Sequence, residues 1–562
     1  MSPHPLLDGP AYPEEFAARY RAAGYWTGDV FADFADRGAH VHGAAPAVSG
    51  VDHAGAPVTW SHAELAEAAA ATGAGLARAG IAAGDAVIVQ LPIIVEYVAV
   101  VLGLFRIGAI PVFALPAHRR SELTQFRRIA RARGYVTAGR VAGCDHRGLA
   151  DELIADARAA GADTPVTVVV DADGGGHARL RDLADLADPA ARAAAAAAAG
   201  PPAPADPEDL ALIQLSGGTT GTPKLIPRTH AAYHYSIRAS AGICGCGPGT
   251  RMLAVLPAAH NFTMSSPGIL GVLWAGGEVI LAPTTSPRRC LELVERHRVT
   301  DVALVPPLAM AWIAALDGSG ADVSSLRVIQ VGGAKFTESA ARRLTAAFGC
   351  RLQQVFGMAE GLVNYTRDTD PPELALTTQG RPISAADEIR ILGEDGAEVA
   401  EGEPGRLTTR GPYTIRGYLG GADPGSFDEE GFYASGDVVR RLPGGHLVVE
   451  GRVKDQVNRG GEKFAAEEVE NHLIAHPGIL DAVVVAVPDP RLGEKSCAVL
   501  VADRELDPAE VRAFVRARGV AAYKVPDRVV QRDALPTTGV GKISRRELRE
   551  RLAAELGGAG AG

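Results

Sequence analysis

Short apolar, β-rich runs recur along the chain at residues 87–91, 110–113, 166–170, 210–214, 252–256, 279–281, 302–305, 328–331 and 352–356. Between many of them the apolar positions recur with helical spacing, as at 291–298 and 338–348. Such alternation predicts α/β layers with mostly parallel sheets covered by helices. The longest apolar stretch, 86–105, is interrupted by Gln90, Pro92 and Glu96, so it reads as a strand and a helix ahead of strand 110–113, not as a membrane span. An alanine-rich run, 190–199, ends at Gly200-Pro201-Pro202 and reads as a helix end and linker before strand 210–214. Past residue 455 the pattern changes to an amphipathic helix at 465–476, β-branched runs at 482–487 and 496–502, and a helix at 508–518. That is the signature of a separate small α+β domain. The expected organisation is a large N-terminal domain (1–451), a connecting segment (452–455), a small C-terminal α+β domain (456–552) and a flexible tail (553–562).

Composition narrows the classes. At 562 residues the chain is long enough for two or three domains. Hydrophobic residues at 47% and charged residues at 22% are ordinary for a globular protein, and a net charge of −10 supplies no basic field for nucleic acid or anionic lipid. Met1-Ser2-Pro3-His4-Pro5 lacks a basic stretch followed by an apolar core, so no secretory signal is expected. The six cysteines are scattered, with only Cys244 and Cys246 close together. They read as reduced thiols of a cytoplasmic protein and not as a metal site.

The densest chemistry follows strand 210–214. Ser216, Gly217, Gly218, Thr219, Thr220, Gly221, Thr222, Pro223 and Lys224 combine backbone that can approach an anion, hydroxyl donors and a cation, which is the recipe for a phosphate cradle. The Walker A spacing is not met, because Pro223 precedes Lys224 and Gly221 lies three positions upstream of it. Composition alone favours a surface turn for an average Gly-rich loop; the strand before it and the lysine at its end point to phosphate.

Residues 216–224 resemble the phosphate loop of the adenylate-forming superfamily, which includes acyl-CoA synthetases, luciferases and peptide-synthetase adenylation domains. The continuation Leu225-Ile226-Pro227-Arg228-Thr229-His230 is similar to that of the stand-alone 2,3-dihydroxybenzoate–AMP ligases of siderophore pathways, and the resemblance runs from the Trp26 region to about Leu552. It implies that a substrate carboxylate attacks the α-phosphorus of ATP while the loop holds the β- and γ-phosphates. Within Gln353–Gly361, which resembles a Mg²⁺-site motif, the resemblance assigns Mg²⁺ to Glu360; alone, Glu360 reads as a helix-N-terminal glutamate. Gly333 and Ala334 resemble the adenine-side loop, otherwise a tight turn. Asp437, in Tyr433–Asp437, resembles the ribose-binding aspartate, otherwise a turn residue, and Arg452 resembles the arginine that contacts ribose and phosphate.

The resemblance also covers the small domain and the acid pocket. Lys542, at the end of Pro536–Lys542, matches the lysine that bridges carboxylate and α-phosphate; by spacing alone it is a solvated surface charge. Gly451–Asp455 matches the hinge, with Lys454 at the hinge position. Residues 458–463, ending at Lys463, match the loop that faces the active site after the hinge turns; the alternative is a polar hairpin. In 257–268 the resemblance places His260 beside the substrate carboxylate, Asn261 at the ring 2-hydroxyl and Ser266 at the 3-hydroxyl, with Phe262 in the pocket and Val355 and Val363 walling the ring. No acidic residue replaces Asn261, which argues against an α-amino acid.

The implied function is activation of 2,3-dihydroxybenzoate by ATP with Mg²⁺, then transfer of the aryl group to the phosphopantetheine thiol of a separate aryl carrier protein. Salicylate, 3-hydroxypicolinate or another aryl acid, and CoA as acceptor, stay open. A P-loop kinase is disfavoured by the broken Walker spacing. A non-catalytic nucleotide binder has no need of Glu360, Lys463 and Lys542 together.

Overall fold

The structure is a computed structural model that describes residues 12–141, 143–171, 173–216, 223–421, 425–459, 462–489, 492–538 and 542–558. Two large sheets form the body. The first has nine strands in the order Arg381–Pro382, Val363–Tyr365, Arg351–Gly357, Val328–Gly332, Asp301–Leu304, Arg251–Ala254, Glu278–Leu281, Pro46–Val51 and Pro57–Ser61. Its six central strands are parallel, and antiparallel pairs close both ends. The second has seven strands, parallel except for the pair Leu210–Leu215 with Leu225–Thr229. Their near-continuous burial explains why they read as unbroken apolar runs: both faces of a parallel sheet are covered.

The helices Val95–Arg106 and His62–Arg78 pack across glycines. A Cβ on Gly73 would lie 2.7 Å from the Gly103 carbonyl oxygen, and one on Gly103 would lie 2.9 Å from the Ala69 oxygen. Only hydrogen at both positions allows the helix backbones to come this close. Among the described residues no helix is long and apolar enough to cross a membrane.

Two smaller sheets complete the chain. Glu388–Leu392, Gly405–Arg410, Tyr433–Arg441 and Leu447–Arg452 form an antiparallel meander. The expectation of mostly parallel pairing missed it. The strands Glu388–Leu392 and Tyr433–Arg441 are only partly buried and carry charged residues, so their apolar pattern is weak. After the 3₁₀ turn Val453–Asp455, the hairpin Gln456–Arg459 and Glu462–Ala465 joins Gly493–Ala502, Ile479–Asp489 and Arg528–Gln531 in a sheet with its own apolar cluster, including Val457, Leu473, Val484, Leu500 and Val515. Arg545 ties this unit internally: Nη2 donates to Glu470 Oε2 at 2.8 Å and Nη1 to the Val484 oxygen at 2.8 Å.

Gly380, at φ 78°, packs so closely that a Cβ would overlap the backbone of Tyr365. Gly349 has a similar φ of 62° but nothing within 4 Å of a Cβ. Gly380→Ala should therefore destabilise the protein by about 2–4 kcal/mol, through strain plus overlap, and Gly349→Ala by about 1 kcal/mol. Urea midpoints of the two variants check this.

Candidate active site

The site lies where parallel strands of the nine-stranded sheet end, the usual crevice of such sheets. Strand Arg251–Ala254 leads to residues 257–267, Val328–Gly332 leads to Gly333 and Ala334, and Arg351–Gly357 leads to Glu360. The antiparallel meander adds Asp437 and Arg452.

On the phosphate side, Ser216 and Lys224 close the base of the glycine-rich loop. Ser216 N donates to the Lys224 oxygen at 3.0 Å, and Lys224 N donates to Ser216 Oγ at 2.9 Å. Gly217, Gly218, Thr219, Thr220 and Gly221 lie outside the described residues. Lys224 Nζ sits 4.7 Å from the centre of the Tyr418 ring, and Tyr418 donates its proton to Glu360 Oε1 at 2.9 Å. Glu360 is 8% exposed and occupies a turn between strands, which corrects the alternative of a helix N-terminus. Arg228 fixes that turn, donating from Nη1 to the Ala359 oxygen at 2.8 Å.

Asp437 and Arg452 face each other in register on neighbouring strands, and Arg452 Nε donates to Asp437 Oδ1 at 2.9 Å. Asp437 is buried and lies within the strand Tyr433–Arg441, not in a free turn. Lys542 reaches the same place from the small unit. A Cβ on Gly333 would stand 3.1 Å from Lys542 Cε and 3.8 Å from Nζ. Burial, with a smaller contribution from the nearby Arg452 charge, lowers the Lys542 pKa to about 8, and Asp437 and Glu360 oppose the shift. The ammonium is thus gathered into the site and is not the solvated surface charge that its spacing alone suggests.

His260 caps the short helix Asn261–Ser265, its Nδ1 accepting from Phe262 N at 3.2 Å. Burial, and then the Lys542 charge, push its pKa down to about 3, so the ring is neutral and its proton is on Nε2. Asn261 Oδ1 accepts from the Tyr233 hydroxyl at 2.9 Å, and the single proton of Ser265 Oγ is shared between Oδ1 and the Asn261 carbonyl oxygen, each at 3.2 Å. Gln214 Nε2 donates to the Tyr233 oxygen at 3.2 Å, so the Tyr233 proton is directed at Asn261. Ser266 is buried at the end of this segment. Phe262, Val355 and Val363 join one apolar cluster with Val305 and Tyr365, and a Cβ on Gly332 would lie 3.0 Å from Val355 Cβ and 3.2 Å from Phe262 Cζ.

The structure therefore brings together Ser216, Lys224, Gly333, Ala334, Glu360, Asp437, Arg452, Lys542, His260 and the acid-pocket residues. Lys454 lies in the turn Val453–Asp455 and Lys463 on the strand Glu462–Ala465, paired with Asn458; their side chains are outside the described residues. Sequence reasoning did not single out Tyr233, Tyr418, Gln214 or the support given by Arg228. Arg228 stood in the motif that carried the resemblance, whereas the tyrosines carry no local signature. Among the described residues no group of three His, Cys, Asp or Glu side chains could hold a metal, and the cysteines are unpaired.

Comparison with known proteins shows the family. The model of the AMP-binding enzyme family matches residues 35–419, and that of the AMP-binding enzyme C-terminal domain matches 468–542. The chain is 48% identical to a 2,3-dihydroxybenzoate-AMP ligase of Bacillus subtilis, with 97% of this chain and 98% of the relative covered. It is 43% identical to a salicyl-AMP ligase / salicyl-S-ArCP synthetase of Mycobacterium tuberculosis, covering 97% and 95%. Among solved structures, apo MbtA of Mycobacterium smegmatis is 41% identical, with a TM-score of 0.73 over 97% of this chain and 99% of that one. The chain belongs to the AMP-binding enzyme family. It is an ATP-dependent adenylating enzyme, as the phosphate-loop resemblance implied.

A depressed lysine pKa fixes a pH response. The Lys542 charge is present below pH about 8 and lost above it, so kcat/KM for adenylation, which reports the free enzyme, should fall as pH rises through about 8. Pyrophosphate exchange between about pH 6 and 10 measures it. Lys542→Arg should retain activity in the alkaline range; an identical alkaline limb in that variant would assign the titration to another group.

Proposed function

We propose that the enzyme activates a 2-hydroxybenzoate-type acid, 2,3-dihydroxybenzoate by preference, to its acyl-adenylate, and passes the aryl group to the phosphopantetheine thiol of a separate carrier protein in siderophore biosynthesis. The observation that carries this reading is the clamped Asn261. With Oδ1 held by Tyr233 and Ser265, its amide presents a donor to a hydroxyl ortho to the carboxylate, beside a neutral His260 and under Lys542. The neighbouring Ser266 then faces the 3-hydroxyl, and Phe262, Val355 and Val363 wall the ring. The named relatives act on these two acids or carry them in their names, which supports the class.

In this reaction the substrate carboxylate is the nucleophile, so the protein aligns and neutralises. His260 Nε2–H donates to the carboxylate without adding charge. Ser216, Gly217, Gly218, Thr219, Thr220, Gly221 and Lys224 hold the β- and γ-phosphates, Gly333 and Ala334 border adenine, and Asp437 accepts from the ribose hydroxyls while Arg452 orients it. Lys542 balances the charge that builds on the α-phosphoryl oxygens. Mg²⁺ fits Glu360: it is commonly held by one or two carboxylates plus substrate phosphates, and Glu360 is a buried carboxylate at the mouth of the phosphate side. The ion would supply Lewis-acid neutralisation of the phosphates. Rotation about Lys454 would then withdraw Lys542 and bring the 458–463 hairpin, with Lys463, to the site for thioester formation. We place the enzyme in the cytoplasm.

Labelled ATP with an aryl acid should give pyrophosphate and aryl-AMP; ADP as main product would end this reading. Lys542→Ala should slow adenylation roughly 10²–10³-fold, while transfer from preformed aryl-AMP is spared. Lys463→Ala should leave adenylation intact. Equal loss of both half-reactions in Lys542→Ala would contradict the two-conformation scheme.

Substrate choice is checked by kcat/KM for both acids. A buried hydroxyl left without its partner costs about 1–3 kcal/mol, so the wild type should prefer 2,3-dihydroxybenzoate over salicylate at the modest end of roughly 5- to 150-fold. Ser266→Cys should raise the relative rate with salicylate, and Asn261→Ala should damage both acids. A wild-type preference for salicylate would remove the role given to Ser266.

A further inference from the structure

Behind Ser266 lies a second layer of hydroxyls that the reaction scheme does not use. Tyr365 ends the strand Val363–Tyr365 and is 0% exposed, and Ser240, on the helix His230–Cys244, is also 0% exposed. Ser240 follows Tyr233 by seven residues, about two helical turns, so both sit on one helix face. Tyr233 serves Asn261, and Ser240 stands over Tyr365 at the other end of the pocket. Burial raises the Tyr365 pKa well above its usual value, and the nearby hydroxyls of Ser240 and Ser266 partly offset that rise. Yet neither the Tyr365 hydroxyl nor Ser240 Oγ has a hydrogen-bond partner among the described residues.

Buried polar atoms are seldom left so, because the missing bond costs free energy. The amides beside them are satisfied: Gln330 Nε2 donates to Gln353 Oε1 at 2.9 Å and to Cys244 Sγ at 3.2 Å, and Gln353 Nε2 donates to the Thr366 oxygen at 2.9 Å. Among the buried atoms without a partner in the described residues, these two lie at the end of the pocket bounded by Ser266, with Thr263 Oγ1 on the adjoining helix. Asn261 already shows how the pocket sets a polar group, using two neighbouring hydroxyls to fix which of its atoms faces the ligand.

We infer that Tyr365, backed by Ser240, is a positioning residue for substrate choice: it orients the Ser266 hydroxyl so that a chain of hydroxyls, Ser240–Tyr365–Ser266, is completed by the 3-hydroxyl of the aryl acid. The inference rests on the proposed aryl-acid reading and deepens it. A 2,3-dihydroxybenzoate gives Ser266 a partner and lets each hydroxyl donate to the next. Salicylate leaves the chain without its terminus. Selection against the mono-hydroxy acid is thus held by three side chains and not by Ser266 alone.

Tyr365→Phe removes one oxygen and keeps the ring, and Ser240→Ala removes the rearmost hydroxyl. For each, kcat/KM by pyrophosphate exchange is measured with 2,3-dihydroxybenzoate and with salicylate, together with the KM for ATP and the thermal midpoint. The ratio of the two acids should fall roughly 5- to 10-fold in Tyr365→Phe, and in the same direction but less in Ser240→Ala, with the KM for ATP unchanged. A residue that only supports the fold would lower both acids alike and leave the ratio at its wild-type value, which would overturn the inference while the aryl-acid reading stands. A wild type that adenylates neither acid, or that prefers salicylate, would overturn both. Should Tyr365→Phe not fold, the Ser240→Ala ratio decides.

Discussion

The lysine ammonium packed against Gly333 is the constraint on which the active site depends. Taking that charge out of water is costly, and the nearby Asp437 and Glu360 carboxylates oppose the cost. Three separate parts of the chain must therefore meet there: the end of a parallel strand without a side chain at Gly333, the antiparallel meander with Asp437, and the small C-terminal unit with Lys542. Arg452 belongs to both sides of this balance. It pairs with Asp437 at 2.9 Å and also repels Lys542. A site assembled from opposing charges in this way is complete only when the small unit is docked, which suits an enzyme whose proposed second step needs the lysine elsewhere.

The same economy governs the acid pocket. Its polar groups are few and each is held by others that do not touch the ligand: Gln214 directs Tyr233, Tyr233 and Ser265 direct Asn261, and Phe262 N occupies one nitrogen of His260. Aromatic and aliphatic walls exclude water around them. Hydrogen bonds in such surroundings discriminate strongly, because a mismatched ligand leaves a buried atom unpaired.

Much of the fold was legible. The buried parallel strands and the helix Glu338–Phe348 stand out because burial on both faces, or on one stripe, writes a clear pattern into the residues. The meander from Glu388 to Arg452 was not legible, since its strands Glu388–Leu392 and Tyr433–Arg441 are half-exposed, carry charged residues and look like loops. At the candidate site, the residues that could be singled out are those in dense motifs: Ser216, Lys224, His260, Asn261, Glu360, Asp437 and Lys542. Those that act through others were not, because Tyr233 and Tyr418 are single tyrosines whose meaning comes from partners 28 and 58 residues away in sequence: Asn261 and Glu360. Long-range pairing leaves no local trace.

The clamp on Asn261 also sets the polarity of the pocket at a single atom. The Tyr233 hydroxyl donates to Oδ1 and Ser265 Oγ is shared between Oδ1 and the backbone oxygen, so on the proposed reading the ligand meets the amide nitrogen beside it. Exchange of that nitrogen for oxygen, as in aspartate, would keep the clamp and the shape while replacing a donor by a negatively charged acceptor. The same cavity would then repel a phenol oxygen and attract an ammonium. Acid recognition and amine recognition are thus separated here by one heavy atom, and the surrounding scaffold is indifferent to which of the two it serves.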